Sequence, residues 1–332
     1  LTHAESAALD ALQSHALWGG RIQEAATINA ERLEIVDAVS DPWEVGDTHA
    51  MAAWLSFDLG HYETARDLAL GGYDRTIDEA PSVALHGLTW ASLARVQTGE
   101  WNAVTAALST ALELLDPERH SHPPLYAAPL YAAAAFVAEF RGKAAEADRI
   151  MAILTDVWSA SDWGTRGGHP HARWSRHLGP IHIRRGDYET AWLLVESDDA
   201  ERIGRESDRH AVMCDLVVAT DAWDQADEVI EETRRTAAGY GLDSLHAHAD
   251  RLEGLHSIAM RDVRGGIALL DTATTRFTSL GDHWEANRTL LAIGEAGRPI
   301  DVAAVTEFFE GLRSIDELAR ARDLADPGVA RP

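Results

Sequence analysis

The sequence predicts an all-α protein, a right-handed superhelix of about seven to eight antiparallel helical hairpins. Three observations predict it. A short phrase recurs at intervals of 35 to 44 residues, the segments beside it carry apolar residues at helical spacing, and no segment alternates polar and apolar residues as a strand does.

The recurring phrase is a glycine, an aromatic or apolar residue two positions later, and a small residue five positions later. Five full copies begin at positions 20, 60, 99, 142 and 186, and two degenerate copies begin at Asp221 and Arg261. Glycine allows the positive φ with which a chain leaves a helix, and a small residue lets two helices approach. We therefore expect Gly60, Gly99, Gly142 and Gly186 to end the first helix of each hairpin, with Tyr62, Trp101, Ala144 and Tyr188 buried.

Other local signals agree with hairpins. Asp41 precedes Pro42 and is placed to cap a helix that starts there. Short helices joined by tight turns pack as antiparallel neighbours, and each pair needs the next to cover its apolar face. The sequence thus predicts a single domain over 1–332, with an irregular insertion near 158–172 and a disordered tail over 326–332.

The phrase resembles the tetratricopeptide repeat, most closely where Leu178-Gly179 precedes the segment 186–191 (GDYETA). The longer spacing, and the segment 264–291 that closes the array, resemble the helical repeats that follow the ATPase module in bacterial LuxR-type activators and nucleotide-cyclase-linked ATPases. This resemblance implies a non-catalytic scaffold or sensor domain that binds a protein, peptide or other ligand. Its partner would be a separate protein or other domains of the same parent chain.

Composition narrows the functional classes. Lys and Arg number 29 against 54 Asp and Glu, a formal charge of −25 that disfavours direct contact with nucleic acid. The single Cys214 and the absence of a signal-like or membrane-length apolar segment fit a cytoplasmic protein. The chain opens on Leu1, which favours a fragment of a longer polypeptide. It carries no phosphate-binding loop and no basic DNA-reading helix pair.

In the family that the chain resembles, the first helix of each hairpin lines a concave surface. We aligned the repeats on their anchor positions and transferred the family's groove-facing positions to this sequence. The candidate ligand-binding residues are then Trp54, Asp58, His86, Arg173, Arg176, Arg184, Asp208, Asp215 and Arg251. The three arginines lie on one predicted helix and suit an anionic ligand, unless neighbouring acids already neutralise them. We expect no cofactor. We also expect no metal, because His169, His171, His177 and His182 are poorly spaced and have no cysteine near them.

Two alternatives stay open. The stretch from Trp158 to His177 is either a lip over the groove, anchored by Trp163 and Trp174, or an insertion that packs Trp158 and Trp174 into the core. For the whole chain, a free-standing repeat adaptor and an α/α-toroid glycoside hydrolase, which uses two carboxylates with Trp platforms, are the competing functions.

Overall fold

The fold is given by a computed structural model that describes residues 2–115, 124–161, 169, 171–196 and 206–326. Across those ranges the chain forms seventeen α-helices and no strand, as the helical periodicity predicted. The first eight helices are α1 (Thr2–Trp18), α2 (Ile22–Ile35), α3 (Pro42–Asp58), α4 (Tyr62–Thr76), α5 (Pro81–Thr98), α6 (Trp101–Leu114), α7 (Ala128–Phe140) and α8 (Ala144–Ser159). The remaining nine are α9 (Ser175–Arg184), α10 (Tyr188–Glu196), α11 (Glu206–Ala219), α12 (Ala226–Tyr240), α13 (Asp243–Ala259), α14 (Val263–Ser279), α15 (His283–Glu295), α16 (Val302–Leu312) and α17 (Ile315–Ala325).

Two predicted features fall largely outside these ranges. The middle of the insertion, with Trp163, and the tail over 327–332 are not among the described residues. On the two sides of the insertion, Trp158 and Trp174 are both buried, and their rings meet edge to face with centroids 6.2 Å apart. Both tryptophans therefore belong to the core.

The phrase marks helix ends as predicted. Gly60, Gly99, Gly142 and Gly186 each follow the last residues of a helix and have positive φ. The two degenerate anchors behave in the same way, since Asp221 has φ +52° and Arg261 has φ +72°. A non-glycine residue in this region is uncommon, so these turns keep the repeat geometry without its usual residue.

The second position of the phrase is less regular than predicted. Tyr62 and Trp101 are fully buried, but Ala144 is exposed and Tyr188 is 36% exposed, so the prediction is wrong for those two. Both begin helices, α8 and α10, whose first turn is open to solvent. At the start of α3, Asp41 accepts a hydrogen bond from the Trp43 amide at 2.9 Å, and the predicted cap is confirmed.

Helices that follow one another in sequence pack against each other, and the second half also contacts the turns of the first. The Tyr62 amide donates to the Leu280 carbonyl at 3.3 Å, and Arg141 Nε donates to the Leu312 carbonyl at 2.8 Å. Side chains of α16 and α17 lie against the turns at Gly99 and Gly142. Residues far apart in sequence therefore close over the ends of α3, α5 and α7.

The largest apolar cluster lies at this closure. Trp101 of α6 packs on Trp284 of α15 with ring centroids 4.9 Å apart, and Phe136 and Phe140 of α7 meet Trp284 edge to face. All four side chains are buried, so the first position of α6 joins both halves in one core. No described helix has the length and apolarity needed to cross a lipid bilayer.

Substitution of Gly99 by alanine tests the closure. A Cβ at Gly99, where φ is +84°, would lie 2.9 Å from Phe308, whereas at Gly186, with φ +72°, it would meet no atom within 4 Å. We expect Gly186→Ala to lower the free energy of unfolding by about 1–2 kcal/mol from backbone strain alone. Gly99→Ala should lower the free energy of unfolding by more than Gly186→Ala does, because the Phe308 side chain must also move. Urea unfolding followed by circular dichroism measures both.

Gly71→Ala is the matched control for these variants. Gly71 lies inside α4, and an added Cβ there would meet nothing within 4 Å. Alanine should stabilise that helix by up to about 1 kcal/mol. Equal decreases in the free energy of unfolding for Gly99→Ala and Gly186→Ala would show that α16 contributes nothing to stability at the Gly99 turn.

Candidate functional site

A cavity of about 410 Å³ lies where α1, α3, α5, α9 and α11 converge with the segments at 125–129 and 172–174. Six aromatic side chains line it, namely Trp18, Trp54, Phe57, Trp90, Tyr126 and Trp174. The polar lining residues are Asp58, His86, Arg173, His177 and Asp208, and three aliphatic residues complete it. Most of the wall is therefore apolar, with a few polar groups converging on it, as is usual for small-molecule sites.

Helical spacing on α3 and α5 positions the aromatic wall. Trp54 and Phe57 are three residues apart on α3 and so share a face, and His86 and Trp90 are four apart on α5. Trp54 and Trp90 stack with centroids 5.3 Å apart at an interplanar angle of 13°, and Phe57 leans on Trp90 at 6.0 Å. Two neighbouring helices thus present one continuous aromatic surface.

His86 is fixed within this surface. Its Nε2 accepts a hydrogen bond from Trp90 Nε1–H at 3.1 Å, and its ring contacts Tyr126 at a centroid distance of 5.7 Å. Burial lowers the pKa of His86 to about 4, so the imidazole is neutral at pH 7. An imidazole that accepts at Nε2 carries its hydrogen on Nδ1.

His177 forms another part of the wall. It is buried, its Nε2 has no hydrogen-bond partner, and its ring stacks near Phe57 at a centroid distance of 6.5 Å. Burial, and then the charge of Arg176, lower the pKa of His177 to about 3. Both histidines at the cavity are consequently uncharged at neutral pH.

Behind the cavity lies a buried network of charged side chains. Arg176 donates to Tyr62 Oη at 2.5 Å, and its guanidinium lies 3.4 Å from Asp282 Oδ2 and 3.8 Å from Asp208 Oδ1. The Gln97 amide, in the orientation that satisfies both of its neighbours, donates to Asp282 and accepts from Arg176 Nε. Arg176 therefore ties α4, α5, α9, α11 and the turn before α15 together.

The network continues along α11, α13 and α15. Arg251 pairs with Asp215 and Glu285, and Arg288 Nη1 lies 3.2 Å from Asp215 Oδ2 and 2.9 Å from Glu285 Oε1. With Arg176, three guanidinium groups face four carboxylates, those of Asp208, Asp215, Asp282 and Glu285. One carboxylate is in excess, and a buried excess charge is costly.

Asp282 is the most deeply buried of these four carboxylates. Its side chain is fully buried and caps α15 by accepting from the Glu285 amide at 3.1 Å. Burial and the neighbouring Glu285 carboxylate raise the pKa of Asp282 to about 7. Glu285, held by Arg288 and Arg251, keeps its pKa well below the usual value and stays ionised.

The structure distributes the nine predicted site residues over three places. Trp54, Asp58, His86, Arg173 and Asp208 all line the cavity. Arg176, Asp215 and Arg251 lie in the buried network, and Asp208 belongs to both. Arg184 lies elsewhere, with its guanidinium 2.7 Å from both Glu139 and Asp316.

The three arginines predicted to bind an anion together are thus in three different settings. Arg176 and Arg184 are neutralised by internal carboxylates, and only Arg173 lines the cavity. Repeat register placed them on one helix, but Arg173 lies in a short 3₁₀ turn before α9. Through the part of the chain that is described, no group of three or more His, Cys, Asp or Glu is arranged to hold a metal ion.

Several lining residues were missed by the sequence reasoning. Phe57, Trp90, Tyr126 and His177 were not among the candidates, although each is aromatic or lies one helical turn from a candidate. The three-residue and four-residue spacings to Trp54 and His86 were a usable signal for the first two. Asp282 and Arg288 carried no such signal, because the partners that join them to the network, Arg176 and Asp215, lie more than seventy residues away in sequence.

The sequence matches no protein-family model, and no curated protein matches it. Function is therefore inferred from the cavity and the residues around it.

The excess carboxylate gives a pH-dependent stability. A carboxyl group whose pKa is higher in the folded state than its unfolded value of 3.8 stabilises the fold while it is protonated. This stabilisation is complete below pH 3.8 and is lost as the pH rises through about 7. Asp282→Asn mimics the protonated form and keeps the cap. Relative to wild type, its free energy of unfolding should rise between pH 5 and 8, by on the order of a few kcal/mol. Urea titrations at closely spaced pH values measure the difference.

Asp301→Asn is the matched control, since Asp301 caps α16 through the Ala304 amide at 3.0 Å but is exposed. The control separates burial from the exchange of a cap carboxylate for an amide. A difference between Asp282→Asn and wild type that stays constant over pH 5 to 8 would show that Asp282 is ionised throughout.

Proposed function

We propose that this chain is a non-catalytic ligand-binding domain, the sensor of a larger bacterial signalling or transcriptional regulator, built as a tetratricopeptide-like right-handed superhelix. The observation that carries the proposal is the cavity of about 410 Å³ with six aromatic residues in its wall. Its volume falls within the range of sites that enclose small molecules, roughly 300–1,000 Å³. A small organic molecule is the ligand that such a space fits best.

The position of the predicted groove residues favours a small molecule over a peptide at this site. A peptide needs an open surface along several hairpins, but Arg176, Asp215 and Arg251 are enclosed by the closure of the two halves. Among the described residues, the cavity offers a ligand a mostly apolar space. In this proposal the protein partners of the domain are the other domains of the parent chain, because a sensor must signal to them whether its ligand is bound.

The polar groups of the cavity favour binding over catalysis. Asp58, Arg173 and Asp208 already make contacts of their own, and Asp208 faces Arg176. The two histidines are neutral, and burial holds the pKa of His86 at about 4 and that of His177 at about 3. A general base works best with a pKa near the working pH, which neither imidazole has.

The proposal predicts what lies beside this segment in its gene. We expect the coding sequence upstream or downstream to contain an ATPase, nucleotide-cyclase or DNA-binding module. Sequencing the flanking regions is the measurement. A gene that encodes only the repeats would favour the free-standing adaptor instead.

The cavity itself can be tested with N-phenylnaphthylamine, an uncharged fluorescent probe that brightens in apolar surroundings. We expect binding with a Kd on the order of 10 µM, because a flat apolar molecule of this size gains most of its affinity from burial. Leu125→Trp places a large ring in the cavity wall and should weaken binding at least about tenfold. Fluorescence titration measures both proteins.

Leu112→Trp is the control, because Leu112 is 54% exposed on α6 and lies outside the cavity. Equal binding by wild type and Leu125→Trp would place the probe elsewhere and contradict the proposal. The glycoside hydrolase alternative has its own support, since Asp58 and Asp208 line one tryptophan-rich cavity. Release of nitrophenol from aryl glycosides by wild type, abolished in Asp58→Asn, would replace the sensor proposal with that enzyme.

A further inference from the structure

One hydrogen-bonding group of the cavity wall is a donor without a described partner. The His86 Nδ1–H has no partner among the described residues, because the only hydrogen bond of that ring is the one Nε2 accepts from Trp90. His177 Nε2 is a second unpartnered nitrogen of the wall, and the tautomer of that ring decides whether it donates or accepts. A ligand that satisfies His86 must therefore offer an acceptor to its Nδ1–H.

The charges around the cavity balance before any ligand arrives. Asp58 and Asp208 are carboxylates of the wall, and Arg173 and Arg176 lie in or directly behind it. Asp58 and Arg173 are already engaged, and Asp208 is shared with Arg176. A charged ligand would bring a charge with no counterpart into a partly dehydrated site, which is costly.

The shape of the aromatic wall favours a flat ligand. Trp54 and Trp90 lie within 13° of parallel. The His86 ring meets Trp90 at 55°, and the Tyr126 ring meets His86 at 53°. Aromatic rings pack well in both offset-stacked and edge-to-face arrangements, so a planar ligand could contact both sets of rings. His86 is the donor at this corner.

We propose that the cavity recognises an uncharged, flat aromatic molecule that carries a hydrogen-bond acceptor, such as an aromatic ketone, and that His86 Nδ1–H donates to that acceptor. This inference rests on the proposed function and names the chemical class of its ligand. The aromatic rings of the wall then supply most of the binding affinity, and the neutral imidazole of His86 supplies the selectivity for a ligand with an acceptor.

Four naphthalenes substituted at the same ring position test the class. They are acetylnaphthalene, ethylnaphthalene, naphthoate and naphthylmethylammonium, each titrated by displacement of N-phenylnaphthylamine. The acetyl compound should bind about five- to tenfold more tightly than the ethyl compound, the gain from one neutral hydrogen bond. The two charged compounds should bind more weakly than the acetyl compound at moderate salt.

Two variants test the donor. His86→Phe keeps a ring and removes the N–H, so the ratio of the acetylnaphthalene affinity to the ethylnaphthalene affinity should fall to about one. His86→Gln can accept from Trp90 and donate through its amide, and should keep part of the preference. His256→Phe is the control, because His256 stacks on Trp223 at 6.0 Å outside the cavity. Thermal melts confirm that each variant is folded.

The outcomes separate the two proposals. If ethylnaphthalene or either charged compound binds as tightly as the acetyl compound, this inference fails, while binding that Leu125→Trp abolishes still supports a ligand cavity. If His86→Phe keeps the acetyl preference, His86 is not the donor and the inference also fails. If neither the probe nor any naphthalene binds wild type, the proposed function itself fails.

Discussion

The buried guanidinium of Arg176 is the constraint on which the rest of the interior depends. An unpaired charge at this depth would cost several kcal/mol, so the fold must supply partners from every side. It does so with Tyr62 from α4, Gln97 from α5, Asp208 from α11 and Asp282 from the turn before α15. The second half of the chain must therefore close over the first for Arg176 to be neutralised. The same closure brings Trp284 onto Trp101, so charge pairing and apolar packing impose the same arrangement.

Cavity and network share a wall. Asp208 lines the cavity and faces Arg176, and the Arg176 guanidinium lies 5.7 Å from the ring of Phe57, another lining residue. His177 follows Arg176 on α9 and is held neutral partly by its charge. A molecule in the cavity is thus one contact away from the residue that joins the two halves. The proposed sensor function would depend on this proximity, because a ligand changes a conformation only through contacts that differ between its states.

Local sequence patterns predicted the helix ends well because those ends depend on local backbone geometry. Glycine at 60, 99, 142 and 186 marks a positive φ, and register alone extended the pattern to Asp221 and Arg261. Burial was harder to predict, since Tyr62 is covered by α9 and the turn at Leu280, whereas Tyr188 has no such cover. Trp54 and His86 reached one cavity because α3 and α5 pack against each other, and Asp208 joins them from α11. Arg251 and Asp215 were also aligned, but their partners Glu285 and Arg288 come from a helix that periodicity cannot bring near.

The strong negative charge of the chain says little about this interior. The chain has a formal charge of −25, so acidic residues far outnumber basic ones and any arginine becomes a candidate site for an anionic ligand. In the network behind the cavity, three arginines face four carboxylates, and burial raises the pKa of one carboxylate, Asp282, to about 7. His177, with a pKa of about 3, and His248, whose pKa burial also lowers, add no charge. The arginines of this network therefore face carboxylates of the chain itself, and the cavity beside it is lined mainly by aromatic rings and by two neutral imidazoles, those of His86 and His177.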